Sequence, residues 1–128
     1  MVLLLKTGLL IAGHGSRSKD AQNTFDKIVG FVRELSSYEI VEGAHMELSE
    51  PHIPEQIKKM VNEGIEEIII VPYFLYEGIH IKEDIPEIIK EEKEKYKNII
   101  FKFAKPIGAE PALAEILIKR AQEVKSEK

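Results

Sequence analysis

Four short apolar runs, each followed by a longer stretch with the spacing of an amphipathic helix, constrain this chain more than any other feature. The runs are Gly8–Ala12, Ile40–Met46, Ile68–Val71 and Ile99–Phe103, each too short for a buried helix. Near-continuous apolar residues of this length, β-branched and closed by glycine or Pro72, read as strands covered on both faces. Glu42 and Gly43 interrupt the second run, which suits an edge strand. Between the first two runs, Phe25, Ile28, Val29, Val32 and Leu35 share one face of a helix predicted over 19–35. Pro51 is expected to open a second helix, with Ile53, Ile57, Met60 and Val61 buried and Gly64 as its stop. After a loop from Leu75 to Ile81, a third helix carries Ile81, Ile85, Ile88 and Ile89, with the Glu91–Lys95 charge run as its solvated face. A last helix follows Pro111, with Leu113, Ile116 and Leu117 on it, and Lys125–Lys128 are expected to fray.

Strand then helix, repeated, predicts an α/β fold: a doubly wound, flavodoxin-like parallel sheet of four strands flanked by helices. The 128 residues fit a single domain over 1–128. A 44% hydrophobic content beside 31% charged residues excludes a disordered chain. No apolar stretch approaches the roughly 18 residues of a membrane span, and the opening Met-Val-Leu-Leu-Leu-Lys lacks the layout of a signal peptide. A cytoplasmic protein without membrane contact is therefore expected. The absence of cysteine removes disulfides, thiolate metal sites and cysteine nucleophiles. With a net charge of −4 and no basic stripe, the chain has no electrostatic footprint for nucleic acid.

In an open parallel sheet, ligands bind beyond the carboxyl ends of the strands, where strand order reverses. Gly13-His14-Gly15-Ser16-Arg17 follows the first strand, His45, Glu47 and Glu50 follow the second, and Leu75–His80 follows the third. His14, between two glycines, is either a turn histidine bonded to local backbone or a ligand and base. His80 after the neighbouring strand favours the second reading, since imidazole binds cobalt, nickel, iron and zinc and also accepts protons near neutrality. Glu50 faces the mouth of the second helix, and helix capping competes with a binding role. Glu47 ranks lower, His52 reads as a surface residue, and His45 fits either the interior or the site. Tyr73, Phe74 and Tyr76 pack the core or rim, or wall a flat ligand. The glycines around His14 match neither the Walker nor the G-x-G-x-x-G pattern, and no G-x-S-x-G elbow supports a Ser16 nucleophile.

Gly-His-Gly-Ser-Arg at 13–17, Glu-Leu-Ser-Glu-Pro at 47–51, Val-Pro-Tyr-Phe-Leu at 71–75, Gly-Ile-His at 78–80 and Pro-Ile-Gly at 106–108, in this order, resemble the class II sirohydrochlorin chelatases. The likeness is greatest to the short archaeal cobalt-inserting members, half the size of the two-domain enzymes, and covers nearly the whole chain. It implies a chelatase-like half-domain that inserts Co²⁺, or Ni²⁺, into sirohydrochlorin on the way to cobalamin or another tetrapyrrole. It implies His14 as metal ligand and proton acceptor, His80 as second ligand, and substrate contacts from Glu50, Leu75, Tyr76, Glu77, Gly78, Ile79 and His80. It also implies a homodimer around a shared cleft, no organic cofactor, and the divalent metal as a substrate. Some relatives carry histidine at the position of Glu77 and a histidine-rich insertion before the fourth strand, whereas the segment from Lys93 to Asn98 is short.

Metal insertion must strip two pyrrole protons while the cation sheds its ligands, so a base near neutrality that also holds the metal serves both steps. The acidic substrate opposes the chain's net charge, which makes Arg17, Lys19 and Lys82 the candidate contacts to substrate carboxylates. Two other readings stay open. One is a metal-binding or delivery protein using the same histidines without turnover; the other is a phosphate-ester-binding α/β domain built on the glycines around His14.

Overall fold

The computed structural model describes residues 4–127, and for His80 the backbone alone. Parallel strands β1 (Thr7–Gly13), β2 (Ile40–His45), β3 (Glu67–Pro72) and β4 (Ile100–Phe103) form one sheet in the order β2-β1-β3-β4. Helix α1 (Lys19–Leu35) joins β1 to β2, α2 (Ile53–Asn62) joins β2 to β3, α3 (Ile85–Lys95) joins β3 to β4, and α4 (Pro111–Val124) follows β4. The expected α/β architecture is present, with β2 at an edge. Among the described residues no helix is long and apolar enough to cross a membrane.

Alternation along the strands divides the core in two. Leu10, Ala12, Ile68, Ile70 and Phe101 face α2 and α3, where Ile53, Ile57, Met60, Ile85 and Ile89 complete the larger cluster. Leu9, Ile11 and Val41 face the other way, against Phe25 and Val29 of α1. The edge strand is clipped to α2 by buried Gln56, whose Nε2 donates to Gly43 O at 2.8 Å and Glu42 Oε2 at 3.1 Å. At the opposite end of the sheet from the expected site, Glu67 accepts from Thr7 Oγ1 at 2.9 Å and pairs with Lys102 Nζ at 2.7 Å.

Several local expectations are corrected. Pro51 does not open α2: it follows a cis Glu50–Pro51 peptide, and the helix begins at Ile53 with Pro54 in its first turn. Because Pro54 needs no hydrogen-bond partner for a backbone N–H, it fits that first turn as well as Pro51 would have. Leu35 ends α1 beyond the sheet and is 88% exposed, so it is not part of the buried face. A five-residue π-helical turn over His80–Asp84 replaces the first turn of the predicted third helix, and Ile81 is buried within it.

The Glu91–Lys95 run is not wholly solvated either. Glu92 is 1% exposed because it falls on the same helical side as Ile85 and Ile89, and Lys95 Nζ reaches its carboxylate at 2.8 Å. Leu113, Ile116 and Leu117 do lie on α4, but that helix buries no residue. Lys128 of the tail expected to fray lies outside the described residues.

Candidate functional site

Strand order reverses between β1 and β3, and the side chains beyond their carboxyl ends surround a cavity of about 200 Å³. His14, Ser16, Gln22, Phe25, His45 and Tyr73 line it. The hydrogen-bond ladder continues past the strand ends and fixes the first residues of each loop. Met46 N donates to Gly13 O at 2.9 Å, Glu47 N to His14 O at 3.2 Å, and Tyr73 N to Ala12 O at 2.7 Å.

With their backbones so paired, His14 and Glu47 become neighbours, and His14 Nε2 lies 3.3 Å from Glu47 Oε1. Both side chains are about half-exposed, at 43% and 56%, so the pair opens to solvent rather than closing inside the protein. Two backbone features support it. Gly15 has φ +102°, and a Cβ there would overlap the carbonyl oxygen of Glu47. Leu48 has φ +69°, uncommon for leucine, in a three-residue turn where Ser49 N donates to Glu47 O at 2.8 Å. The loop after β1 is tied down in turn: Ser16 N donates to Ser49 Oγ at 3.2 Å, and Gln22 Nε2 to Ser16 O at 2.8 Å. Ser18 then caps α1 by accepting from Ala21 N at 3.3 Å.

His45 forms the inner wall. It is 5% exposed, its ring centroid lies 4.7 Å from that of Phe25, and its Nδ1 has no hydrogen-bond partner among the described residues. Burial pushes its pKa below the ordinary imidazole value; the Asp26 carboxylate opposes this and His52 adds to it. Burial thus favours the neutral form of this interior imidazole. His52 precedes α2, is partly exposed and pairs with Glu55 at 3.2 Å, in line with a surface role.

Of the residues singled out in the sequence, the structure brings His14 to the cavity and exposes Arg17, Lys19, Glu50, Leu75, Tyr76, Glu77, Gly78, Ile79 and Lys82 around the same end of the sheet. Glu50 does not cap α2, because the helix starts three residues later at Ile53. The second imidazole expected from His80 lies outside the described side chains. Among the described residues no three histidine or carboxylate groups cluster tightly enough to hold a metal ion.

Glu47 carries more of the site than its place in the sequence suggests. The signal that identifies it is register: Gly13 pairs with His45, so the chain beyond β2 runs beside the chain beyond β1. Tyr73 likewise does more than pack the rim, since it lines the cavity and stacks obliquely on Phe25 with centroids 5.9 Å apart.

Such a site offers an open imidazole–carboxylate pair, polar on one side and walled by aromatic rings on the other. It can hold a borderline divalent cation without closing around it, or accept a proton from a bound ligand.

The family model described as CbiX matches residues 8–124. A sirohydrochlorin cobaltochelatase from Methanopyrus kandleri is 34% identical, with 93% of this chain and 97% of that protein covered. A chloroplastic sirohydrochlorin ferrochelatase from Arabidopsis thaliana is 31% identical over 90% of this chain, which spans 51% of that protein. The crystal structure of the sirohydrochlorin chelatase SirB from Bacillus subtilis subspecies spizizenii, in complex with cobalt, superposes with a TM-score of 0.90 at 31% identity. That match covers 94% of this chain and 51% of the SirB chain.

Proposed function

Since the chain belongs to the CbiX family, we propose that it inserts a divalent metal, Co²⁺ in the first place, into sirohydrochlorin in tetrapyrrole biosynthesis. The observation that carries this reading is the His14–Glu47 pair, 3.3 Å apart and open to the cleft at the switch point of the sheet. The cobaltochelatase relative from Methanopyrus kandleri and the cobalt complex of SirB support the choice of metal. Ni²⁺ is a second substrate, since imidazole and carboxylate donors accept both ions.

The metal enters as substrate. His14 and Glu47 take it from water through one nitrogen and one oxygen donor, and His80, at the start of the segment after β3, supplies a second imidazole. Coordination positions stay open, so the ion can pass to four pyrrole nitrogens, whereas a closed four-ligand site would retain it. As each pyrrole N–H nitrogen bonds the metal it loses its proton. Once the ion has left it, His14 Nε2 accepts the two protons in turn, passing the first to water before it takes the second, and the Glu47 carboxylate 3.3 Å away stabilises the imidazolium formed each time. Phe25, His45 and Tyr73 keep the inner side of the cavity apolar and uncharged, which strengthens these interactions. Glu50 and the segment Leu75–His80 contact the macrocycle, and Arg17, Lys19 and Lys82 meet its carboxylate arms.

The test follows the absorption spectrum of anaerobic sirohydrochlorin with Co²⁺, Ni²⁺ and Fe²⁺ against the uncatalysed rate. Wild type should accelerate Co²⁺ insertion most. His14→Ala should lose about 10²–10⁴-fold, the usual contribution of a positioned base, and His80→Ala should slow insertion chiefly by raising the metal concentration needed. Metal binding that depends on these histidines without acceleration for any metal would replace the chelatase with a metal-delivery protein.

A further inference from the structure

Both side chains of the His14–Glu47 pair stand about half in solvent, at 43% and 56% exposure. An exposed pair of this kind gains little beyond the side-chain freedom that it gives up. A separation of 3.3 Å is therefore set largely by the two loops that carry the residues.

Those loops are joined at two rungs. Glu47 N donates to His14 O at 3.2 Å, and two residues further along each loop Ser16 N donates to Ser49 Oγ, also at 3.2 Å. A side chain makes the second rung because the backbone has turned away: Leu48 stands at φ +69°, and Ser49 N reaches back to Glu47 O at 2.8 Å. Ser49 is thus bonded through its nitrogen to Glu47 and through its hydroxyl to the loop of His14. Gly15 packs between the rungs, so close that a Cβ there would overlap the same carbonyl of Glu47. Behind it the His14 loop is braced on the start of α1, where Ser16 Oγ accepts from Ser18 N at 3.0 Å and Ser16 O from Gln22 Nε2 at 2.8 Å.

The turn is costly at Leu48. In the left-handed region the Cβ of an L residue crowds the following carbonyl, and burial returns little to a leucine that is 48% exposed. A residue in this state persists only where its surroundings over-determine it, and such residues gather at binding sites.

We propose that Leu48 and Ser49 are positioning residues for metal capture: the left-handed turn aims the Glu47 carboxylate at His14, and the Ser49 hydroxyl fastens that turn to the loop after β1. The inference rests on the reading of His14 and Glu47 as donors that take the metal from water. Donors on two separate loops face each other ahead of the ion only when the loops are fastened beforehand. The ion then meets a preformed pair, and none of its binding energy goes into ordering the loops.

Titration with Co²⁺ alone, followed by its visible absorption and by calorimetry, separates capture from insertion. Ser49→Ala should weaken Co²⁺ binding roughly tenfold, the lower end of what a lost outer-shell partner costs, and Ser49→Thr, which keeps the hydroxyl, should retain it. Leu48→Gly should weaken binding too, without a fall in melting temperature, because glycine enters the left-handed region freely but is not confined to it. The deciding comparison is a double-variant cycle with Glu47→Gln. With the carboxylate gone, Ser49→Ala should change Co²⁺ affinity by less than about twofold, the usual error of additivity. In steady-state insertion, Ser49→Ala should raise KM for Co²⁺ and leave KM for sirohydrochlorin unchanged. An undiminished loss in the Glu47→Gln background, or affinities that merely follow the melting temperature, would make Ser49 a structural residue and overturn the proposal. Wild-type affinity in both Ser49→Ala and Leu48→Gly would overturn it as well, with the donor pair left standing. Co²⁺ binding indifferent to Glu47→Gln would instead remove the donor pair, and the proposal with it.

Discussion

Two residues beside the His14–Glu47 pair show how tightly the site is set. At Gly15 a methyl group would both strain a left-handed backbone and push on the carbonyl of Glu47. Gly15→Ala should cost about 1–3 kcal/mol in stability. It should also lower chelation further than that stability loss explains, because displacing Glu47 opens the 3.3 Å pair; thermal melts beside initial rates make the comparison. His45 makes the opposite prediction. Its buried Nδ1 has no partner among the described residues and its pKa is lowered, chiefly by burial. An unfolded chain therefore takes up a proton that the folded one refuses. Stability is intact above the ordinary imidazole range and falls as pH drops through that range toward the lowered value. His45→Phe keeps the ring packed on Phe25 and removes the unpaired nitrogen. It should stabilise by about 1 kcal/mol, raising the melting temperature by roughly 3–5 °C, and flatten the acid limb of the stability curve. No gain at pH 5–6 relative to pH 8 would mean that Nδ1 is satisfied in solution.

At the scale of elements, caps and breakers decide where the chain turns. Ser18 holds the start of α1 through Ala21 N, and the loop carrying His14 feeds directly into that start. Ser18→Ala should cost about 1 kcal/mol by denaturant titration, with the metal profile unchanged. The strands were legible because parallel strands covered on both faces need continuous apolar runs, and α1 because its period and cap coincide. The start of α2 was not, since Pro51 and Pro54 are equally good helix openers in a sequence. Nor was Glu92 legible as buried: composition marks a charge run as solvent-facing, while helical period puts one of its members inward. His14 stood out because it lies between two glycines at a strand end. Glu47 did not, because its value comes from pairing across two strands that are far apart in sequence. That α4 buries nothing was not legible either, since a helix carrying Leu113, Ile116 and Leu117 reads from sequence as one with a packed face.

For the whole molecule, charge sets the remaining test. A net charge of −4 repels an acidic tetrapyrrole at long range, while Arg17, Lys19 and Lys82 lie exposed around the carboxyl ends of the strands. These two influences respond to salt with opposite sign. At about 0.1 M ionic strength the Debye length is near 10 Å, so added salt weakens both the distant repulsion and the exposed local attraction. If local cations govern capture, kcat/KM for sirohydrochlorin falls as salt rises. Arg17→Gln, Lys19→Gln and Lys82→Gln combined should then raise KM several-fold with kcat nearly unchanged, because uniform binding and not the chemical step is lost. With those cations gone the net repulsion remains, and the salt dependence should reverse: kcat/KM of the triple variant rises with ionic strength. A triple variant that retains the wild-type slope would place the recognition of the carboxylate arms elsewhere.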